Sequence, residues 1–274
     1  MQSWLHTPCP PLDQFIEYFF LYENLYTDHL RERLLPDGHI ELVIDLREST
    51  NFWCAGAAFD RLQTVRSGWL SGLHRRFITI EAAQGASMLV VRFRPGRIGA
   101  FLTMPAAEIA GQVVPLDLLW GSAFRTLRQQ LLDSPEPAAK FAHIEAFFLK
   151  KWQPEKGFQP VVDFALSRLL ESDTGAGIAA LVEKTGYSHK HFVALFNKHI
   201  GVSPKVFSRI LKFQQAVRDL QATREPDWAQ LSFSCGYYDQ AHFIHEFRSF
   251  SGYTPSFYLA KRGDYLNYLP DGDE

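Results

Sequence analysis

Cysteine is scarce in this sequence, with three residues in 274, at Cys9, Cys54 and Cys235. Because they are widely spaced and odd in number, they argue against a disulfide framework and fit reduced thiols in a cytoplasmic protein. Long apolar runs are also missing, since the longest, at residues 15–22, contains Glu17 and is far shorter than a membrane span. The first residues, MQSWLHTPCPP, do not place a basic segment before an apolar one, so we expect neither a signal peptide nor a membrane partner.

Signatures of catalysis and of cofactor binding are missing as well. The sequence contains no Walker-type glycine loop, no dinucleotide-binding glycine pattern and no serine nucleophile elbow. His242 and His245 lie three positions apart near Cys235, but no second ligand pair follows at a recognised zinc spacing. We therefore expect no enzyme, no catalytic residue, no cofactor and no metal site.

The formal net charge of −2 hides a difference between the two parts of the chain. Residues 154–262 carry 13 Lys and Arg against 10 Asp and Glu, whereas the remainder carries 15 against 20. The excess of positive charge in the C-terminal part is compatible with a nucleic-acid partner but does not require one.

Residues 30–94 contain short strand-like segments separated by turn residues such as Pro36-Asp37-Gly38. Short strands at close spacing predict an antiparallel sheet that forms a barrel or a jelly roll. Residues 12–22 are predicted to form a short helix, and helical periodicity returns at 105–110, 117–132 and 137–152. We therefore predict an α+β fold for the N-terminal domain, residues 1–152.

A domain boundary is predicted at QPEKGFQP, because these eight residues contain two prolines and a glycine. Residues 153–159 are then a linker, and residues 160–262 have helical periodicity throughout, which predicts an all-α domain. Residues 263–274 form an acidic tail that we expect to fray.

Two segments of the all-α domain repeat each other, SHKHFVALFNKHIGVSP at 188–204 and DQAHFIHEFRSFSGYTP at 239–255. Each follows a short predicted helix that ends at a glycine, and each begins with a residue suited to cap the next helix, Ser188 or Asp239. Each predicted second helix runs for about three turns. This order is typical of a helix-turn-helix unit, and residues 204–222 would join the two units as one rigid helix.

The second helix of each unit has two different faces. Phenylalanines such as Phe192 and Phe243 recur on one side and are expected to face the domain core, which leaves the other side free to enter a DNA major groove. Two such helices held about 34 Å apart could enter successive grooves of one duplex. The residues predicted to bind DNA are Lys190, Val193, Ala194, Asn197, Lys198, Gln240, Ala241, Ile244, His245 and Arg248.

Residues 160–262 resemble the DNA-binding domain of the AraC/XylS family of transcription regulators. The resemblance is carried by TGYSHKHFVALFNKHIGVSP and by CGYYDQAHFIHEFRSFSGYTP, which is similar to the signature stretch of that family. It implies a double helix-turn-helix domain with double-stranded DNA as its partner.

The sequence departs from the family pattern at a few positions. Val182 and Ser232 stand where alanine is common, and Val193 and Ala194 stand where Arg or Gln is often found. Apolar side chains cannot form bidentate hydrogen bonds with base edges, although they could contact a thymine methyl group. Either Lys190 carries the base readout of the first unit, or that unit mainly contacts phosphates while the second unit reads bases.

The N-terminal stretches LLPDGHIELVIDL and VVRFRPGRIGAFLTMPAAEI resemble the sensor region of a less studied branch of AraC-like proteins. The resemblance implies a domain that binds a small-molecule effector or forms a homodimer, in a regulator that contacts RNA polymerase. By composition, the candidate effector-pocket residues are Trp53, Trp69, Phe77, Arg92 and Phe93. Ordinary sheet core is the competing interpretation for these residues, and Arg92 could equally face solvent.

We therefore predict a sequence-specific, effector-responsive transcription regulator of the AraC family that is cytoplasmic and nucleoid-associated. One alternative is a catalytic or repair-type N-terminal domain fused to a DNA-binding module, which a buried constellation of titratable residues would favour over an apolar pocket. Another is a protein-interaction module without DNA binding, suggested by Val193 and Ala194.

Overall fold

The structure is a computed structural model that describes residues 1–47, 51–55, 62–82, 84–171, 177–263 and 265–271. The strands of the described residues are β1 (Gln2–His6), β2 (Ile16–Leu25), β3 (Arg31–Leu34), β4 (Ile40–Asp45), β5 (Asn51–Ala55), β6 (Leu62–Arg66), β7 (Gly68–Ser71), β8 (Ile78–Glu81), β9 (Ala86–Phe93), β10 (Val113–Pro115) and β11 (Tyr268–Pro270). They form a six-stranded sheet, in the order β1-β2-β9-β4-β7-β10, and a five-stranded sheet, in the order β11-β3-β8-β5-β6. Each described strand pair is antiparallel.

The helices of the described residues are α1 (Ala106–Ile109), α2 (Leu116–Asp133), α3 (Pro137–Lys151), α4 (Pro160–Glu171), α5 (Ile178–Glu183), α6 (His189–Ile200), α7 (Pro204–Ala222), α8 (Trp228–Ser234), α9 (Gln240–Ser251) and α10 (Pro255–Lys261). The predicted α+β domain followed by an all-α domain is confirmed.

The six-stranded sheet is the middle layer of the N-terminal domain. Side chains alternate between its two faces, as the pleat of a strand requires. Leu89, Val91 and Phe93 belong to a core that also contains helical residues, and the ring of Phe93 lies 5.6 Å from that of Phe148 in α3. Met88 and Val90 belong to a smaller cluster on the opposite face, which is turned toward the five-stranded sheet.

The helix predicted over residues 12–22 is wrong. Only Leu12–Gln14 form a single 3-10 turn, and β2 begins at Ile16. The strand pairs with β1 on one side and with β9 on the other, and these ladders outweigh the local apolar spacing.

The expectation that the C-terminal tail frays is wrong for the described residues. Tyr268–Pro270 form β11, which pairs with β3 at the edge of the five-stranded sheet. Leu269 is 1% exposed, so its burial holds the tail against the N-terminal domain. The prediction of fraying relied on the acidic residues at the end of the sequence and overlooked the short apolar segment Tyr268–Pro270 that precedes them.

The two domains are in close contact, since a continuous hydrophobic cluster includes buried residues of both. The linker is also held in place, because Arg97 donates hydrogen bonds to the backbone oxygen of Gly157 at 2.8 Å and to Asp163 at 2.6 Å. A Cβ atom on Gly157 would lie 2.2 Å from the ring of Phe15, which leaves no room for a larger residue.

Candidate nucleic-acid interface and cavity

The first helix-turn-helix unit consists of α5 and α6. The turn between them contains Gly186, whose φ of 70° lies in the left-handed region that favours glycine. Ser188 is the N-cap of α6, and its hydroxyl accepts a hydrogen bond from the backbone N–H of His191 at 3.3 Å. The helix ends at Gly201, which has a φ of 96°.

The second unit, α8 and α9, repeats this arrangement. Gly236 in the turn has a φ of 74°, and Asp239 caps α9 by accepting a hydrogen bond from the N–H of His242 at 2.7 Å. Gly252, also with a φ of 74°, ends the helix. Caps and glycines thus fix the first and last turns of both second helices.

The exposed faces of α6 and α9 carry the residues predicted to bind DNA, but to different degrees. In α6, Lys190, Ala194 and Lys198 are exposed at intervals of one helical turn, whereas Val193 and Asn197 are half-buried. In α9 the predicted residues are exposed throughout, namely Gln240, Ala241, Ile244, His245 and Arg248.

Helix α6 is in contact with α1 of the N-terminal domain. A Cβ atom on Gly201 would lie 3.2 Å from the backbone oxygen of Ala106, so the C-terminal end of α6 touches α1. Val193 and Asn197 are half-buried, whereas their counterparts in α9, Ile244 and Arg248, are exposed. The exposed face of the first unit is therefore narrower than that of the second.

Helix α7 holds the two units together. The ring of Phe207 lies 5.9 Å from that of Phe196 in α6, and the ring of Phe213 lies 5.1 Å from that of Phe250 in α9. Because both second helices pack on the same long helix, their separation is fixed by a rigid element.

An ion pair between α7 and α9 adds a directional contact. Arg209 donates two hydrogen bonds to Glu246, at 2.6 and 2.8 Å. Burial alone would raise the pKa of Glu246, but the hydrogen bonds and the charge of Arg209 together outweigh this effect and hold that pKa below its usual range.

A cavity of about 870 Å³ lies between the two sheets. Its walls are apolar and aromatic over much of their area, with a charged end near the turn that precedes β4. The aromatic walls include Tyr18, Phe20, Tyr22, Tyr26, Trp69 and Tyr268. The charged end includes Glu17, Asp37, His39, Glu41, His74 and Arg92. This combination is typical of small-molecule sites.

Arg92 is the centre of the charged end. Its guanidinium lies 2.5 Å from Asp37, 2.6 Å from Glu41 and 3.2 Å from Glu17. Burial alone would lower the pKa of Arg92, but the charges of Asp37 and Glu41 outweigh this effect and raise that pKa. One guanidinium therefore faces three carboxylates.

The pKa values of two of these carboxylates, Asp37 and Glu41, are shifted in opposite directions. Burial would raise the pKa of Asp37, but hydrogen bonding with His39 and the charge of Arg92 hold it well below its usual range. Burial and the neighbouring Asp37 raise the pKa of Glu41, so this carboxyl is the less favourable of the two to ionise. Burial also lowers the pKa of His74 to about 4, which keeps its ring neutral at pH 7.

The cavity contains only part of the predicted pocket set. Trp69 and Arg92 line it, and Arg92 does not face open solvent. Phe77 and Phe93, which were also predicted to belong to the pocket, do not line the described cavity. Phe93 is next to Arg92 on β9 and faces the helices, since neighbours on a strand point to opposite faces. Trp53 lies outside the residues whose side chains are described.

Phe77 has a different role at the domain interface. Its backbone N–H donates to the oxygen of Phe250 in α9 at 2.8 Å, and the guanidinium carbon of Arg33 lies 4.5 Å from its ring centroid. The C-terminal end of α9 thus docks on the N-terminal domain, as the end of α6 does.

Sequence reasoning missed most of the charged end, including Glu17, Asp37 and Glu41. A signal was present: charged residues stand at Glu41 and Arg92 within mostly apolar strands, and these two positions are directly opposite each other in the β4–β9 pair. Buried charges in strands are costly unless they pair, so their presence indicates a partner or a site.

The described residues contain neither a candidate metal cluster nor a membrane-spanning helix. No group of three or more His, Cys, Asp or Glu side chains in that part of the chain could hold a metal ion. None of the described helices combines the length and the apolar character needed to cross a membrane.

The fold and the exposed helices define a class of protein, a DNA-binding protein with two helix-turn-helix units on one connecting helix. Residues 163–261 match the family of helix-turn-helix domains. Residues 5–115 match a domain of unknown function, DUF6597. No curated protein has a matching sequence.

Solved structures of the Vibrio cholerae protein ToxT are similar in overall fold. An apo variant of ToxT is 13% identical, with a TM-score of 0.48 over 90% of this chain and 97% of that chain. Another ToxT structure is 10% identical, with a TM-score of 0.49 over 88% and 98% of the two chains. A structure of ToxT bound to an unsaturated fatty acid is 9% identical, with a TM-score of 0.48 over 88% and 94%.

The C-terminal domain is a helix-turn-helix domain, as its family match and its paired units show. The protein is a DNA-binding transcription regulator.

Proposed function

We propose that α6 and α9 enter successive major grooves on one side of a DNA duplex, and that the N-terminal domain adjusts this binding in response to a small molecule. The packing of both helices on α7 supports the first part, because a rigid connection keeps two reading helices at a constant separation. The cavity supports the second part.

The two units contribute differently to recognition. In α9, Gln240 suits adenine, Arg248 suits guanine or a phosphate, and Ile244 suits a thymine methyl group. In α6 the exposed stripe has two lysines with Ala194 between them. Lysine binds phosphates as a point charge, so α6 mainly positions the domain while α9 reads bases.

The observation that carries the sensing proposal is that one turn belongs to both the cavity and the domain interface. Asp37 lines the charged end, while its neighbours contact α7. A Cβ atom on Gly38 would lie 3.3 Å from Phe207, and Gln214 donates to the backbone oxygen of Pro36 at 2.9 Å. A ligand that moves Asp37 therefore acts directly on the helix that connects the two units, provided that it binds two states with different affinity.

The cavity is largely apolar, as expected for sensing, and also holds titratable groups, as expected for catalysis. Asp37, Glu41 and Arg92 are engaged with one another, which leaves no activated nucleophile among them. This mutual pairing favours a binding site over a catalytic one.

Selection of bound DNA from a random pool with the full-length protein provides the site needed for the decisive measurement. On that site, Arg248→Ala and Gln240→Ala should each weaken binding by about 1–3 kcal/mol and relax base preference locally, measured by fluorescence anisotropy. Arg125→Ala, at an exposed arginine of α2, is the matched control and should bind as the unmodified protein does.

Affinity should fall steeply with salt, because lysine and arginine contacts with phosphates release counterions. The absence of any salt-dependent duplex binding would instead favour the protein-interaction alternative.

Further partners follow from the same proposal. A regulator that binds DNA acts in the cytoplasm at the nucleoid, and contacts with RNA polymerase and with a second copy of the chain are proposed from the AraC-type domain alone.

A further inference from the structure

The charges that line the cavity are unbalanced. Among the described residues, six carboxylates line it, from Glu17, Asp28, Glu32, Asp37, Glu41 and Glu81. The described basic groups that line it are the guanidinium of Arg92, the exposed Met1 with the N-terminal amino group, and the imidazoles of His29, His39 and His74.

The histidines compensate this excess only in part. His29 bridges Asp28 and Glu32, with both nitrogen–oxygen distances at 2.8 Å. Burial alone would lower the pKa of His29, but these two carboxylates raise it. Burial keeps His74 neutral at pH 7. His39 lies at the charged end, 3.5 Å from Glu17 and 3.6 Å from Asp37. The three carboxylates around Arg92 outnumber the positive charges there whether or not His39 is charged, so the charged end keeps an excess of negative charge, which agrees with the raised pKa of Glu41.

An anionic ligand would meet an unfavourable environment here. The guanidinium of Arg92 already binds three carboxylates, so a further anion would have to displace one of them or be buried beside them. Burying an uncompensated charge is costly in either case.

A cationic ligand would meet favourable groups on both sides. The carboxylates of Glu41 and Asp37 lie at one end, and aromatic rings that attract cations line the walls. The cavity already shows such a contact, because the guanidinium carbon of Arg92 lies 5.8 Å from the ring centroid of Tyr18.

We propose that this cavity binds an organic cation, with a protonated amine beside Glu41 and Asp37 and an apolar or aromatic body between the sheets. The inference rests on the proposed function, in which the cavity is the effector site. It assigns the chemical class of the effector and predicts that a carboxylate of the same shape binds less tightly.

A matched series of small molecules tests the charge preference directly. 4-Phenylbutylamine, 4-phenylbutan-1-ol and 4-phenylbutyrate share one body and differ in the charge of one end group. The amine should bind the full-length protein with a Kd in the low millimolar range expected for so small a ligand, measured by calorimetry at pH 7. It should bind on the order of tenfold more tightly than the alcohol, and the butyrate should bind most weakly.

Two variants locate the effect. Glu41→Gln keeps the size of the side chain and removes its charge, so it should weaken amine binding several-fold and leave alcohol binding unchanged. Glu136→Gln changes the net charge equally at an exposed position outside the cavity and should alter neither. Thermal unfolding of both variants establishes that they are folded.

The outcomes separate this inference from the proposed function. Butyrate binding as tightly as the amine, or no amine binding in the millimolar range, would overturn the cationic preference whatever happens to DNA affinity. If the amine binds as expected but leaves DNA affinity unchanged, the ligand class stands and the sensing role fails. Loss of the preference in Glu136→Gln as well as in Glu41→Gln would also overturn the assignment to the cavity.

Discussion

At the scale of single residues, two glycines of the helix-turn-helix units share a backbone conformation but differ in their surroundings. Gly186 has a φ of 70° and Gly252 a φ of 74°, values that L side chains rarely adopt. A Cβ atom on Gly186 would have no atom within 4 Å. A Cβ atom on Gly252 would lie 2.5 Å from both the Phe77 ring and the Arg33 guanidinium. Alanine substitutions at the two glycines therefore distinguish the cost of backbone strain from the cost of steric crowding.

Gly186→Ala should lower the free energy of unfolding by about 1–2 kcal/mol, the cost of a left-handed conformation with a Cβ atom. Gly252→Ala should cost about 1–3 kcal/mol more, because Phe77 must also move. Urea unfolding of both variants measures the difference, and equal losses would mean that the end of α9 does not dock on Phe77 as described.

At the scale of elements, α7 determines the orientation of α9 through the pair of Arg209 and Glu246. Glu246 is 8% exposed and accepts both hydrogen bonds of the pair. A buried carboxylate that loses its partner keeps the cost of burial without the compensation. Removal of one partner is therefore expected to cost more stability than the intact pair contributes.

Arg209→Ala should lower the free energy of unfolding by about 2 kcal/mol, since it leaves the buried Glu246 without its arginine, and His245, 4.0 Å away, is a more distant partner. The double variant Arg209→Met with Glu246→Leu should recover most of this loss, because it removes both charges and keeps their volume. Denaturant unfolding of both proteins tests the point. A double variant no more stable than Arg209→Ala would show that the pair contributes more than mutual compensation.

The sequence predicted some elements better than others for a physical reason. Both helix-turn-helix units are specified by local signals, namely glycines, capping residues and helical periodicity within short stretches. Strand β2 is specified by β9, which lies about seventy residues away, so its local pattern was misleading. The same holds for the charged end of the cavity, because Glu41 and Arg92 meet only through the register of β4 and β9.

At the scale of the whole molecule, the N-terminal domain contacts each part of the DNA-binding domain that sets its geometry. Helix α1 touches the end of α6, Phe77 touches the end of α9, and the turn at Gly38 touches α7. Helices α6, α7 and α9 are therefore all in contact with the N-terminal domain, as the proposed control by an effector requires.

The C-terminal segment extends this contact to the end of the described chain. Strand β11 pairs with β3, and Asn267 and Tyr268 line the cavity. Asn267 also accepts a hydrogen bond from Gln214 of α7 at 2.8 Å. One short segment thus joins the five-stranded sheet, the cavity and the connecting helix.

A chain that ends after Gly263 should therefore lose stability and cavity binding, although it keeps every helix of the DNA-binding domain. Removing the buried Leu269 alone should cost about 2 kcal/mol, and the lost β3–β11 hydrogen bonds add to this. A chain that ends after Asp271 is the matched control and should unfold at the same temperature as the full-length protein, because β11 is intact. Calorimetric unfolding of the two truncated proteins decides the matter: equal transition temperatures would show that β11 contributes nothing to the N-terminal domain.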